Sequence, residues 1–142
     1  MPQKQWMYVP DSGGVKIPDA VKPRIRQRIQ HYADEHFAGR FTRLDIRFRS
    51  KFGYIDAYTD PEPSMTPNWP PADFPETREE YIERLRNTPI HLCRLRYDGS
   101  DDRWAFAFYA YSGERYEASV FPDGEFEGMP EAAFAASANA YL

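Results

Sequence analysis

Residues 43–60 read RLDIRFRSKFGYIDAYTD. Leu44, Ile46 and Phe48 alternate strictly with Arg43, Asp45, Arg47 and Arg49, the period-two pattern of a strand with one apolar and one wet face. Ser50 and Lys51 read as a turn, and FGYIDAYTD (52–60) as the return strand. A hairpin with one wet face belongs to an antiparallel sheet, because parallel sheets are buried on both sides. The rest of the chain is then expected to supply more strands of this kind and helices to cover their apolar face.

Downstream, three more strands are predicted: IHLCRLRYD (90–98), RWAFAFYAYS (103–112) and RYEASVF (115–121). Short, polar, Gly-containing turns at 98–102 and 112–114 connect them as hairpins. Trp104, Phe106 and Phe108 share one face and Tyr109 and Tyr111 the other, as in a central strand. Upstream, Val21, Ile25, Ile29, Tyr32 and His36 recur at helical spacing, with Asp19 as N-cap, Pro23 in the first turn and Gly39 as the stop. TREEYIERLRN (77–87) reads as a second helix, with capping-box spacing from Thr77 to Glu80. Pro130 opens a third, PEAAFAASANAYL, whose alanines allow close packing.

Two segments fit neither pattern. DPEPSMTPNWPPADFP (60–75) carries six prolines and reads as a long surface loop over 60–76, with Trp69 and Phe74 pinning it to the body. Residues 1–18 hold a short apolar run (6–9) and a DSGG turn signal, which predicts an N-terminal arm or small hairpin. The element order predicts one α+β domain over residues 1–142. It has two layers, an antiparallel sheet of about five strands with helices mainly on one face.

Composition narrows the class. The chain has 142 residues, 42% hydrophobic and 16% aromatic, which argues against disorder even at a mean hydropathy of -0.75. The longest apolar run, AFAFYAY (105–111), is too short to span a bilayer. The N-terminus lacks the apolar stretch of a signal peptide, and the single cysteine, Cys93, excludes an internal disulfide. A soluble cytoplasmic protein is expected. Net charge is -4, unevenly spread: residues 1–51 hold 11 Lys/Arg and 5 Asp/Glu (+6), and residues 52–142 hold 7 and 17 (-10). Such asymmetry marks either a basic face for a polyanion or two halves that neutralise each other on folding.

The runs RFTRLDIRFRSKFGYIDAYTD (40–60) and LCRLRYDGSDDRWAFAFYAYSGERYEASVFP (92–122) resemble a family of small bacterial proteins of unknown function. The shared pattern is a leading helix, an arginine-alternating strand, an R-Y-D turn into a Trp-bearing strand and a Tyr-containing hairpin, over most of residues 20–142. The resemblance implies the fold and contains no catalytic motif. It implies no activity, cofactor or site residue.

No chemical constellation stands out. His91 and Cys93 are expected on one strand face with Leu95 and Tyr97, their side chains about 7 Å apart at the base, too far for a nucleophile pair and in keeping with a buried thiol. His31 and His36 lie about 140° apart around a helix and cannot share a metal, while His31 and Glu35 have ion-pair spacing. Asp45 and Asp56 fall on neighbouring strands, sharing a face only if the register allows it. There is no G-x-S-x-G, P-loop, G-x-G-x-x-G or paired C-x-x-C. PNWP (67–70) matches the P-x-x-P form. No catalytic residue, metal or cofactor is assigned.

The arginines carry the most information. Arg43, Arg47, Arg49, Arg94 and Arg96 fall on the strands among Tyr54, Tyr58, Asp45 and Asp56, a lattice that suits either stacking and phosphate contact or cross-strand ion pairs. In KPRIRQRIQHYADEH (22–36) the basic residues come first and the acids last, against the helix dipole. Arg24 and Arg28 on one side of its apolar stripe are expected to clasp an acidic segment, with FPDGEFEGMPE (121–131) as the best internal candidate and a protein or polyanion as the external ones. Three functional expectations follow. The first is a small non-catalytic interaction module whose partner is another protein, with Trp69 in the contacting loop. The second is binding of nucleic acid or another anion through the Arg/Tyr face and the basic helix. The third is an enzyme of unrecognised type in a cleft under the proline-rich loop.

Overall fold

A computed structural model describes residues 13–61 and 68–142. Residues 1–12, with most of the expected arm, and 62–67, where the P-x-x-P match begins, lie outside the described residues. The elements run α1 (Val21–His36), β1 (Arg43–Arg49), β2 (Phe52–Tyr58), α2 (Arg78–Arg86), β3 (Ile90–Ser100), β4 (Arg103–Ala110), β5 (Arg115–Ser119) and α3 (Pro130–Tyr141). The fold is α+β, with one antiparallel five-stranded sheet whose spatial order, β1-β2-β3-β4-β5, is the chain order. β4 is interior as its two aromatic faces predict, and β3 takes the middle. Among the described residues no helix is long and apolar enough to cross a membrane.

The core lies between the sheet and α1 with α3. α3 packs on β3 and β4, and α1 packs on α3 and β1. Ile25, Ile29 and Ala33 of α1 meet Ala133, Phe134 and Ala138 of α3 in one cluster with Ile46, Ile55, Leu95, Trp104 and Phe106 of the strands. Alanines at 133 and 138 leave room for close helix approach, and the Ser137 hydroxyl between them donates to the Ala133 carbonyl at 2.9 Å. Each buried isoleucine contributes about 1.5–3 kcal/mol, more than an unfavourable charge order near a helix end removes.

Three details correct the sequence reading. The buried stripe of α1 is Val21, Ile25, Ile29 and Ala33, while Tyr32 is half-buried and His36 exposed, because the packed row follows i, i+4 steps throughout. The N-cap is Ala20, without a side-chain cap bond, and Asp19 pairs with Lys22 at 3.1 Å. His91 and Cys93 do not share a face. Ile55 faces Cys93 while Asp56 faces His91, so β3 spends an extra residue, Leu92, at a bulge. The bulge sends Cys93 to the core beside Ile55 and turns His91 outward toward Asp56.

Cys93 is fully buried, and that desolvation pushes its thiol up to about 12. The native protein is therefore expected to leave a thiol reagent such as DTNB unreacted at pH 8, with one equivalent consumed after denaturation. Prompt native reaction would place the thiol at the surface.

α2 forms on local signals. Thr77 Oγ1 accepts from the Glu80 N–H at 3.1 Å and Glu80 reaches back to the Thr77 N–H at 2.9 Å, completing the expected capping box. It buries no residue. The Trp69 ring lies 5.2 Å from Phe74 and 6.4 Å from Tyr81, and Arg78 donates to the Trp69 carbonyl. The loop is thus pinned to α2 rather than to the sheet.

Candidate functional site

With α1 and α3 on one side, the register places a single set of side chains on the other. β1 contributes Arg43, Asp45, Arg47 and Arg49, and β2 contributes their partners Tyr58, Asp56, Tyr54 and Phe52. β3 adds His91, Arg94 and Arg96, and β4 and β5 add Tyr109 opposite Tyr116. Ala105 and Ala107 are buried on this face, in register with Arg96 and Arg94.

Its centre is a buried carboxylate. Asp56, 2% exposed, accepts from Arg47 Nη1 at 2.8 Å and meets His91 Nδ1 at 2.9 Å. Arg47 Nη1 also reaches Asp45 at 2.7 Å, so the two aspartates that face each other across the hairpin share one guanidinium. The His91 backbone N–H donates to the Tyr111 hydroxyl at 2.8 Å, and its ring sits 4.7 Å from Tyr109.

Around that centre the rings form a continuous sheet cover. Tyr116 stands edge-on to Tyr54 at 5.6 Å and to Tyr109 at 5.0 Å. Burial raises the Tyr116 hydroxyl above its ordinary pKa, so it stays protonated and neutral at working pH. Arg94 lies over Phe52 at 4.3 Å and Tyr116 at 5.6 Å, and Arg43 over Tyr58 at 3.7 Å. Arg43 and Arg49 have no carboxylate partner among the described residues. Arg96 is paired with Asp98 at 3.1 Å, with side chains only 12% and 11% exposed. Gly14, at φ +76, passes so close that a Cβ there would lie 2.9 Å from Arg96 Cγ.

Of the residues singled out in the sequence, Arg47, Arg49, Tyr54, Tyr58, Arg94 and Arg96 come together on this face. Trp69 stays with α2. Arg24 and Arg28 are turned to structural use. Arg24 forks onto Asp101 at 2.8 and 3.1 Å, and Arg28 grips Glu131 at 2.8 and 3.0 Å and Asp102 at 2.8 Å. The expected acidic segment therefore supplies Glu131, and the β3–β4 turn supplies the rest. Sequence reasoning placed Arg43 on this face as well, but missed the pairing of Asp56 with His91, and also Tyr109, Tyr116 and Phe52. The alternation of 52–58 against 43–49 carried the signal for the rings, whereas the β3 bulge hid the His91 contact.

The Arg24 fork has a pH signature. The hydrogen-bonded Arg24 guanidinium holds the Asp101 carboxyl below its ordinary value. A carboxylate depressed in the folded state stabilises fully above about pH 4, and that contribution is lost as pH falls through the folded value. The melting temperature is expected to drop as pH falls below about 4, and Arg24→Ala to shrink that drop by lowering the neutral value while the two proteins converge in acid. An unchanged acid limb in the variant would show that the fork does not persist in solution.

The face carries five arginines and three aspartates (45, 56 and 98), a net of +2, which leaves -6 for the remainder of a -4 chain. It is a flat cationic and aromatic surface around one buried, fully bonded carboxylate, an arrangement suited to docking a partner. No family model matches the chain, and neither a curated protein nor a solved structure matches it.

Proposed function

We propose that this chain is a small non-catalytic interaction module whose open sheet face docks another protein through an acidic surface. The observation that supports this is the composition of the face. Beside three aspartates and Ala105, Ala107 and Ala118, its strand positions carry five arginines with Tyr54, Tyr58, Tyr109, Tyr116 and Phe52, residue types enriched at protein–protein interfaces. Five strands at their usual spacing and about seven residues of length give a face of roughly 550 Å², somewhat below one side of a standard interface of about 800 Å². Flanking loops would supply the remainder. The local +2 within a chain of -4 favours a partner of opposite sign.

The Arg43–Tyr58 and Arg94–Phe52 stacks also suit single-stranded nucleic acid, so the test includes it. A photo-crosslinker replacing Ala118 on the face is compared with one at an exposed position of α1, in lysate from the source cells. The expected result is one predominant protein adduct from the sheet face only. Its affinity should fall about 30-fold or more in Arg94→Glu and in Tyr54→Ala, both still folded. Absence of a face-specific protein adduct, with tight binding of labelled single-stranded RNA that collapses between about 50 and 200 mM salt, would replace the protein partner with a nucleic acid.

A further inference from the structure

We propose a second binding site, beside the open face and joined to it at Tyr111: a cleft at the end of the sheet that holds a small apolar monocarboxylate through Arg40. The cleft has a volume of about 650 Å³, within the range of small-molecule sites. Five separate parts of the fold line it, one of them the stretch just after β2 that carries Thr59 and Asp60. Leu85 and Ile90 come from either side of the α2–β3 connection, Tyr141 and Leu142 from the end of α3, Tyr111 from just beyond β4, and Arg40 from the α1–β1 turn. Such convergence of element ends on one apolar hollow, with few polar groups, is the usual form of a ligand site.

The polar groups define the ligand. Arg40 stands over the Phe37 ring at 5.3 Å, and its guanidinium has no hydrogen bond or ion pair among the described residues. Asp60, the carboxylate of the cleft wall, is already engaged by Arg86 at 3.0 Å. The Tyr111 hydroxyl accepts the His91 N–H at 2.8 Å, and its own proton remains for an incoming oxygen. Burial raises the Tyr111 pKa, which keeps that proton in place. One unengaged guanidinium with the Tyr111 and Thr59 hydroxyls, against aliphatic and aromatic walls, matches a single carboxylate on an apolar body. A polyphosphate would need further unengaged cations.

The test uses the full chain and 3-phenylpropionate, with its uncharged amide as control, followed by backbone amide NMR shifts and calorimetry. The acid is expected to bind saturably with a sub-millimolar Kd and to shift the amides of Ile90, Tyr111 and Leu142. Arg40→Ala, an exposed position, should weaken it about 10- to 100-fold. The amide should bind the unmodified protein about as weakly as the acid binds Arg40→Ala, and equally in both proteins. Arg94→Glu on the open face should change none of these values. The proposal is overturned if no saturable shift appears up to about 10 mM acid, a Kd weaker than any useful site. It is also overturned if Arg40→Ala leaves the affinity unchanged, or if the amide binds as tightly as the acid.

Discussion

Phe134→Ala is expected to lower the unfolding free energy by about 3–5 kcal/mol, among the largest losses available from one core side chain. Phe134 is fully buried in α3, edge-on to Phe37 at 5.4 Å and to Tyr32 at 6.4 Å. It therefore joins the two helices of the layer as well as filling the space above the sheet. Truncation loses the transfer term, the edge-to-face contacts and the volume, and its alanine neighbours are too small to move into the gap. Against a typical total of about 5–15 kcal/mol, such a loss leaves a marginal domain. Urea titration is the measurement: the midpoint should fall steeply while the slope stays unchanged. Phe134→Leu should cost markedly less, and Phe126→Ala, at a half-exposed ring, should stay within about 0.5 kcal/mol. A loss below about 1.5 kcal/mol at Phe134 would mean that α3 is not the second layer of the fold.

The next largest effect is expected at Arg28. Its guanidinium makes two bonds to Glu131, one to Asp102 and one to the Asp101 carbonyl, and the side chain is 27% exposed. Those bonds tie α1 to the first turn of α3 and to the β3–β4 turn, which the Trp104 Nε1–H bond to the Asp101 carbonyl also holds. Arg28→Ala should cost about 2–3 kcal/mol, the range for charge-assisted hydrogen bonds that are partly shielded from water. Arg28→Lys should recover less than half, because an ammonium cannot span a carboxylate and a second acidic group as a planar fork does. Arg24→Ala, at a side chain 55% exposed, should cost less. If Arg28→Ala leaves stability unchanged, the clasp is not formed in solution and the arginine is open to an external anion after all.

This clasp accounts for the inverted charge order of α1. The helix has no acid in its first turn, and the carboxylates that its N-terminal half lacks arrive from elsewhere in the chain. The order looks unfavourable only while the helix is considered alone. The sequence could not show this, because Arg24 and Asp101 are 77 residues apart. The hairpin of residues 43–58, by contrast, was legible as two strands and a turn, since period-two alternation puts Leu44, Ile46 and Phe48 on one face, while its register, which pairs Asp45 with Asp56, came only with the structure. The same alternation revealed the arginines and tyrosines of the open face. It failed at His91, because one extra residue in β3 reverses the faces on either side of it, and no composition signal marks that extra residue. Trp69 misled for another reason: aromatic residues in a proline-rich loop announce an anchor without naming the element that receives it.

The excursion between β2 and β3 interrupts a sheet that otherwise follows the chain step by step. Its helix, α2, is held by a capping box, surface ion pairs and ring contacts rather than by burial. Amide exchange should therefore divide the molecule. The protons of α2 should exchange through local opening with little dependence on denaturant, and those of β3 and β4 only with global unfolding. Leu85 of α2 belongs to the wall of the Arg40 cleft, so that wall can part from the sheet while the core stays intact. A ligand seated there would slow exchange in α2 first, and the helix would report occupancy well before the melting temperature moved.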